Sequence, residues 1–132
     1  MIGGVMYRFE RMAAMRRFMM KMNQEWKNKW LIALRSGLYQ QTVQYLRNLD
    51  YKEKGNVVCY CCLGVLCQIV DAEGWDSPDP DRPTTHRGSA SYPGYEICQE
   101  TGLTESLAAE AAALNDDGKS FSEIADWIEE TL

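Results

Sequence analysis

An uncharged segment, residues 57–70, constrains the fold of this chain more than any other feature of the sequence. It reads Val-Val-Cys-Tyr-Cys-Cys-Leu-Gly-Val-Leu-Cys-Gln-Ile-Val and contains four of the five cysteines. A run this apolar belongs in a protein core, and it is too short to cross a bilayer as a helix. We predict that it forms the centre of the domain, with a short strand over residues 57–60 and a buried helix over residues 61–73 that stops at Gly74.

The length and composition of the chain predict one globular domain. A chain of 132 residues can bury a core without disulfides or metal. Its hydrophobic fraction of 45% and charged fraction of 25% are ordinary for folded proteins. No uncharged run approaches the length of a membrane-spanning helix, and arginines interrupt the apolar residues at the N-terminus. The sequence therefore predicts neither a membrane span nor a secretory signal.

The cysteine pattern favours reduced thiols. The count of five is odd, and Cys61 and Cys62 are adjacent, which is poor geometry for bridging each other. Because disulfides are rare in the cytosol and common in secreted proteins, we predict a cytosolic protein.

Charge is distributed unevenly along the chain. Residues 1–54 carry 11 Lys and Arg against 4 acidic residues, and residues 55–132 carry 3 against 15, which sums to the net charge of −5. Such asymmetry fits an interaction surface at each end of the chain, and it fits equally an attraction between the two ends within one folded monomer.

Residues 1–22 form a basic, Met- and Arg-rich extension that precedes the globular domain, residues 23–132. We predict that the extension is helical and that it contacts a protein groove, an anionic surface or nucleic acid. Its candidate contact residues are Arg8, Arg11, Arg16 and Arg17. The alternative is that the sequence starts upstream of the true initiator, because Met20 or Met22 could begin the domain.

Helical patterns predict most of the remaining structure. Trp26, Trp30 and Leu34 recur at a spacing of four residues, which indicates an amphipathic helix over residues 23–36, ended by Gly37.

Two helices are predicted to close the chain as a hairpin. Thr104 is the predicted N-cap of a helix that runs through Leu114, and Gly118 lies in the turn that follows. Ser120 and Glu123 have the Ser-x-x-Glu spacing of a capping box, which predicts the start of the last helix.

The segments between these helices are less regular. In residues 38–49 the aromatic and β-branched side chains favour a strand and the apolar spacing favours a helix, and we predict a helical or irregular turn. Residues 75–94 contain all four prolines and the single histidine, and they predict a long Pro- and Asp-rich loop. A short strand is predicted over residues 95–98. The fold class is therefore α+β, predominantly α-helical, with a buried Cys-rich central helix, a few short strands and a C-terminal helical hairpin.

One arrangement of residues would support thiol chemistry. A cysteine at the N-terminus of a helix has its thiolate stabilised by the helix dipole, and Cys61 or Cys62 would lie there. His86 would act as the base of a papain-like thiol hydrolase. Because His86 lies in a predicted flexible loop without an aromatic or apolar frame, and because buried cysteine usually acts as a small hydrophobic side chain, catalysis is the less favoured reading.

A metal site is also less favoured. Potential zinc donors are present in the required number, namely Cys59, Cys61, Cys62, Cys67, Cys98 and His86. The C-x₂-C spacing of a zinc knuckle is absent, and a helix would direct its cysteines around its axis. The sequence therefore predicts no metal and no cofactor.

The C-terminal region resembles part of a DNA-binding motif. Residues 114–128 have the pattern of the first helix of a helix-turn-helix, but the recognition helix would have to follow residue 132. Residues 96–132 also carry ten acidic residues and one lysine, which a phosphate backbone would repel. We therefore expect no direct nucleic-acid ligand except through the basic N-terminus.

Three segments resemble an uncharacterised family of small proteins encoded by bacteriophages and prophages. They are Lys-Trp-Leu-Ile-Ala-Leu-Arg-Ser-Gly-Leu-Tyr-Gln-Gln (29–41), Tyr-Cys-Cys-Leu-Gly-Val-Leu-Cys (60–67) and Leu-Asn-Asp-Asp-Gly-Lys-Ser-Phe-Ser-Glu-Ile-Ala-Asp-Trp-Ile-Glu (114–129). The resemblance covers residues 22–132, with the loop at 75–95 the most divergent part. It carries over no activity and no catalytic residue.

What the resemblance implies is a phage accessory protein in the cytoplasm of the bacterial host. We expect a non-enzymatic binding protein whose partner is a host or phage protein, for example an inhibitor of CRISPR or another defence system. In addition to the arginines of the extension, its expected contacts are Trp75, His86 and Tyr92. The alternatives are a sponge that sequesters a nucleotide signal between subunits and the thiol hydrolase described above, and the sequence leaves the oligomeric state open.

Overall fold

The computed structural model of the protein describes residues 22–50, 57–79 and 81–132. Within these ranges lie five helices and three short strands, in the order α1 (Gln24–Arg35), β1 (Gln40–Gln41), β2 (Arg47–Asp50), β3 (Val57–Tyr60), α2 (Cys62–Val70), α3 (Tyr95–Thr101), α4 (Glu105–Asp116) and α5 (Phe121–Thr131). The predicted α+β class with a predominance of helix is confirmed. Residues 1–21 of the predicted N-terminal extension, including Arg8, Arg11, Arg16 and Arg17, lie outside the described residues.

The uncharged segment forms the centre of the domain, as predicted. It supplies β3 and then α2, and the seven consecutive residues 61–67 are all buried. Gly64 allows α2 to pass directly over the chain at Leu46, because a Cβ atom at this position would lie only 1.7 Å from the Leu46 carbonyl oxygen. The close approach of the two backbones therefore depends on glycine.

The predicted end of α2 at Gly74 is wrong. The helix ends at Val70, and the N–H of Asp71 still donates to the carbonyl of Cys67. Gly74 has another role, because a Cβ atom there would lie 2.4 Å from Nε2 of His86. The glycine makes room for the histidine ring and does not cap the helix.

The three strands form one sheet in the order β1-β3-β2. The helical or irregular turn predicted for residues 38–49 is wrong at residues 40–41 and 47–49, which form strands, whereas residues 42–46 form an irregular turn as predicted. β1 is parallel to β3, whereas β2 is antiparallel to it with Arg47 opposite Tyr60. Between β1 and β2 the chain reverses at Gln44, whose φ of 72° lies in the left-handed region. The strand preference of the β-branched and aromatic residues prevails because β3 offers backbone hydrogen bonds on both of its edges.

Helix α1 packs against α2 and α5, and its boundaries confirm the prediction. Asn23 accepts the N–H of Trp26 at its start, and Gly37 has a φ of 75° just beyond its end. The fully buried Trp30 donates from Nε1 to the carbonyl of Cys62 at 2.9 Å. The predicted core role of this tryptophan is confirmed.

The C-terminal hairpin of α4 and α5 also confirms its predicted caps. Thr104 accepts the N–H of Leu107, and Ser120 and Glu123 bond each other's backbone in the predicted capping box. The strand predicted over residues 95–98 is wrong, because these residues form the first turn of α3. Burial of Ile97 and Thr101, four residues apart, follows the helical period. No helix of the described residues is long and apolar enough to cross a membrane.

Candidate functional site

The two adjacent cysteines lie at the N-terminal end of α2, where the sequence predicted them. Cys61 is the N-cap residue, and its Sγ accepts the N–H of Gly64 at 3.4 Å, whereas the Cys62 thiol donates to the carbonyl of Ala111 at 3.6 Å. Both thiols are buried, with 4% and 0% of the residue exposed. Burial raises the pKa of Cys61 from 9.0 to about 11 and raises the pKa of Cys62 well above the ordinary value. Both side chains are therefore protonated at neutral pH, unlike an activated nucleophile.

A side chain from α4 closes this end of α2. The fully buried Asn115 accepts the N–H of Cys62 at 3.0 Å and the amide of Gln41 at 3.1 Å, and it donates to the carbonyl of Thr42 at 2.7 Å. One asparagine thus joins α2, β1 and α4. The backbone group that a substrate would need at a reactive helix terminus is already bonded within the protein.

His86 lies at the opposite end of α2. Its Nε2 is 2.8 Å from the backbone carbonyl oxygen of Asp71, which can only accept, so the ring donates from this nitrogen. Ten residues of helical rise separate Cys61 from Asp71, or about 15 Å. The structure therefore does not bring the cysteines and the histidine together as a thiol–imidazole pair.

The ring of His86 packs against an aromatic side chain that was not predicted from the sequence, that of Trp75. The two rings meet edge to face with centroids 4.8 Å apart, and the histidine is fully buried. Short bridges pair Trp75 with His86 and His86 with Ser89, and a third bridge pairs Thr84 with Arg47 of β2. The expectation that His86 lacks an aromatic frame is therefore wrong.

Trp75 and His86 both face inwards, which matters because both were predicted partner contacts. Trp75 donates from Nε1 to the side chain of Gln68 at 2.8 Å, and the Arg47 guanidinium lies over its ring at 5.1 Å from the centroid. His86 retains one buried nitrogen, Nδ1, without a hydrogen-bond partner among the described residues. Of the three predicted loop contacts, only Tyr92 is exposed, at 50%.

An open groove lies between α3 and α4, beside Tyr92. It consists of two adjoining depressions with volumes of about 460 and 300 Å³. Both are lined by Pro93, Cys98 and Glu105; the larger also contacts Tyr95 and Leu103, and the smaller contacts Tyr92 and Ala108. We call these depressions together the α3–α4 groove.

Two exposed aromatic rings border the α3–α4 groove. Tyr95 is 77% exposed and Tyr92 is 50% exposed. In the described part of the chain five large hydrophobic side chains are exposed, and these two are the aromatic ones. Tyr92 lies in the turn before Gly94, which is the N-cap of α3, and Tyr95 is the first residue of that helix. Sequence reasoning missed Tyr95 because it assigned this residue to a strand. The Pro-Gly pair just before it was the available signal for a chain reversal.

Cys98 forms part of the floor of the groove and differs from the cysteines of α2. Its thiol is only partly buried and lies 3.9 Å from the carbonyl oxygen of Pro93. Burial, with a smaller contribution from the Glu105 carboxylate, raises its pKa. In the described residues no three His, Cys, Asp or Glu side chains are placed to hold a metal ion.

Fold and site together define a small helix-rich α+β domain with a closed cysteine centre and an open surface groove. Residues 22–109, which are 88 of the 132, match a family model described as a domain of unknown function (DUF8296), and the chain belongs to this family. The matched range includes every residue that lines the α3–α4 groove. No curated protein and no solved structure matches the chain.

Proposed function

We propose that this protein is a non-enzymatic binding protein that contacts another protein through the α3–α4 groove. The observation that carries the proposal is the exposure of Tyr92 and Tyr95, each of which lines one of the two adjoining depressions of the groove. Tyrosine supplies a large contact area at a small cost in side-chain entropy, and it is enriched in protein interfaces. Two such rings at one concave site are what a partner-binding surface requires.

The state of the thiols supports binding over thiol hydrolysis. Cys61 and Cys62 are buried with raised pKa values, and His86 bonds the far end of the same helix. A hydrolase needs an ionised sulfur and a base within hydrogen-bonding distance. The partner contacts proposed here are accordingly Tyr92 and Tyr95, with Trp75 and His86 as internal supports of the loop.

The biological setting of the proposal comes from the sequence resemblance alone. In a bacteriophage or prophage setting, the partner is a host or phage protein in the bacterial cytoplasm. An inhibitor of a defence complex, such as a CRISPR effector, is one protein of this class. This assignment is an analogy that is independent of the fold.

Site-specific photocrosslinking in the producing bacterium tests the proposal. A benzophenone amino acid is placed at Tyr95 or Tyr92 and, as a matched control, at Ile32 on α1, which is 70% exposed. We expect a discrete crosslinked protein from the two groove positions and none from position 32. Crosslinks of equal yield from all three positions, or none from the groove, would contradict the proposal.

A further inference from the structure

We infer that the α3–α4 groove recognises a cationic peptide segment, with an Arg or Lys side chain of the partner held between Glu105 and the tyrosine ring that lines the same depression, Tyr95 in the larger or Tyr92 in the smaller. This inference rests on the proposed function and specifies the chemistry of the partner. It follows from three properties of the groove, which are its charge, its aromatic faces and its apolar floor.

The charge of the groove comes from Glu105. This exposed carboxylate lines both depressions, and it forms no ion pair with any described residue. The acidic side chains of α3 already have partners. Glu96 lies 3.8 Å from the guanidinium of Arg87, and Glu100 accepts a hydrogen bond from the indole N–H of Trp26. No Lys or Arg is among the described residues that line either depression. A cation is therefore favoured at this surface.

The aromatic faces suit the same ligand. Elsewhere in the domain, aromatic rings already carry a cation, as Arg47 lies over Tyr60 and Trp75. Tyr92 and Tyr95 have no such cation and no ring partner among the described residues. A guanidinium or ammonium within about 6 Å of an aromatic centroid is attracted by the ring quadrupole.

The apolar floor accounts for the rest of the side chain. Pro93, Leu103 and Ala108 supply carbon surface below the rings, and the methylene stem of Arg or Lys packs on such surface while its charge stays at the rim. The two depressions, about 460 and 300 Å³, are near the lower end of ligand-pocket volumes, about 300–1,000 Å³. Each one suits a side chain of a peptide.

The protein's own sequence contains a segment with this chemistry. Residues 8–21 include five basic residues and one acid, interspersed with Met and Phe. A synthetic peptide with the sequence of residues 8–21 is therefore a suitable competing probe.

The experiment selects peptides from a random 12-residue display library on the full-length protein, after removal of peptides that also bind the Tyr92→Ala/Tyr95→Ala double variant. We expect the retained peptides to be enriched in Arg or Lys beside apolar residues. Replacing the Arg by its neutral isostere citrulline should weaken binding about fivefold, the effect of one cation–π contact and one exposed ion pair. The residue 8–21 peptide should displace the selected peptides, and failure to do so would count against the assigned chemistry.

Two matched variants locate the charge that is recognised. Glu105→Gln should reduce the preference for Arg over citrulline to the part contributed by the cation–π contact, whereas Glu110→Gln, with the same change in net charge on the same helix but outside the groove lining, should retain it in full. The inference is overturned if no groove-dependent peptide is recovered, if the recovered peptides lack cations, or if Glu105→Gln keeps the full preference. A partner crosslinked at Tyr95 through a segment without Arg or Lys would overturn this inference and leave the proposed function intact.

Discussion

The N-terminal end of α2 and the α3–α4 groove make an instructive pair, because each combines cysteine with the start of a helix. At the first, Cys61 and Cys62 are buried beneath Asn115, and the sulfur and backbone groups described there are hydrogen-bonded within the protein. At the second, Cys98 lies beside Glu105 and two exposed tyrosine rings. The cysteine-rich segment at the start of α2 is the more distinctive of the two sequences, and it forms part of the core. The less distinctive sequence around Cys98 forms the accessible surface.

The difference arises from what covers each helix end. Side chains from α1 and α4 meet above α2, where Trp30 and Asn115 bond the backbone of Cys62. The N-terminal part of α4 instead faces the open groove, where its own residues Ala108 and Ala109 are small and the rings of Tyr92 and Tyr95 remain exposed. A motif at a helix terminus thus indicates chemistry only where tertiary packing leaves that terminus open.

Gly64→Ala should have the largest effect on stability. This substitution fills the space where the buried helix α2 passes the backbone of Leu46. The added methyl group would overlap the Leu46 carbonyl oxygen, a backbone atom that has no rotamer by which to move away. We expect the free energy of unfolding to fall by about 3 kcal/mol or more, measured by urea denaturation.

Gly37→Ala is the matched control for this substitution. Gly64 has no positive φ, so its substitution meets the clash alone, whereas Gly37 has a φ of 75° and no atom within 4 Å of its Cβ position, so its substitution carries only the conformational cost. That cost is about 1 kcal/mol. Equal losses in the two variants would show that α2 and the Leu46 segment are not in close contact.

Asn115→Ala tests the cap that closes α2. The substitution removes one side chain and leaves the Cys62 N–H and the Thr42 carbonyl unpaired in the interior. Unpaired buried groups cost about 1–3 kcal/mol each, so a loss of about 3 kcal/mol is expected in thermal or urea unfolding. Asn28→Ala, at an exposed position of α1, should change stability by less than about 0.5 kcal/mol. Similar values for the two variants would refute the capping role.

Alkaline pH tests whether the α2 thiols are held protonated. The pKa of Cys61 is raised from 9.0 to about 11 in the folded protein, so its contribution to stability is complete below pH 9. Above pH 9 the unfolded chain loses its proton first, and the contribution is lost as the pH approaches 11. The expected decrease is about 1.4 kcal/mol per pH unit for this thiol.

Cys61→Ser provides the control for the pH dependence. Serine keeps an N-cap acceptor for the Gly64 N–H but does not titrate in this range. The slope of unfolding free energy between pH 9 and 11 should therefore become shallower. An unchanged slope would place the titrating group elsewhere.

The smallest effect on stability should accompany the chemical modification of Cys98. Brief iodoacetamide treatment at pH 8 should label this partly exposed thiol first, because burial reduces the Cys61 thiolate fraction about hundredfold. Peptide mass spectrometry identifies the modified residue, and labelling in guanidinium chloride, where all five cysteines should react, is the control. Modification of Cys61 or Cys62 at the rate of Cys98 would contradict the closed state of the α2 end.

Local signals were sufficient for several elements. The capping box of Ser120 and Glu123, the Thr104 cap and the stop at Gly37 each depend on groups within a few residues of one another, so their sequence spacing predicts them. The apolar segment around α2 was likewise assigned to the core from its composition. The predicted partner contacts included Tyr92, which is exposed, and did not include Tyr95 and Glu105, which line the proposed groove.

Tertiary contacts decided what local spacing leaves undetermined. Cys62 and Asn115 are 53 residues apart, and the ring of His86 is framed by Trp75 and Gly74 across the reversal of the loop. The strands at residues 40–41 and 47–50 formed because each pairs with one edge of β3. The sequence by itself determined the helix caps and the identity of the core segment, whose hydrogen bonds and hydrophobicity are local. Only the folded chain decided which helix terminus is closed and which is open, because that depends on side chains brought together from distant positions.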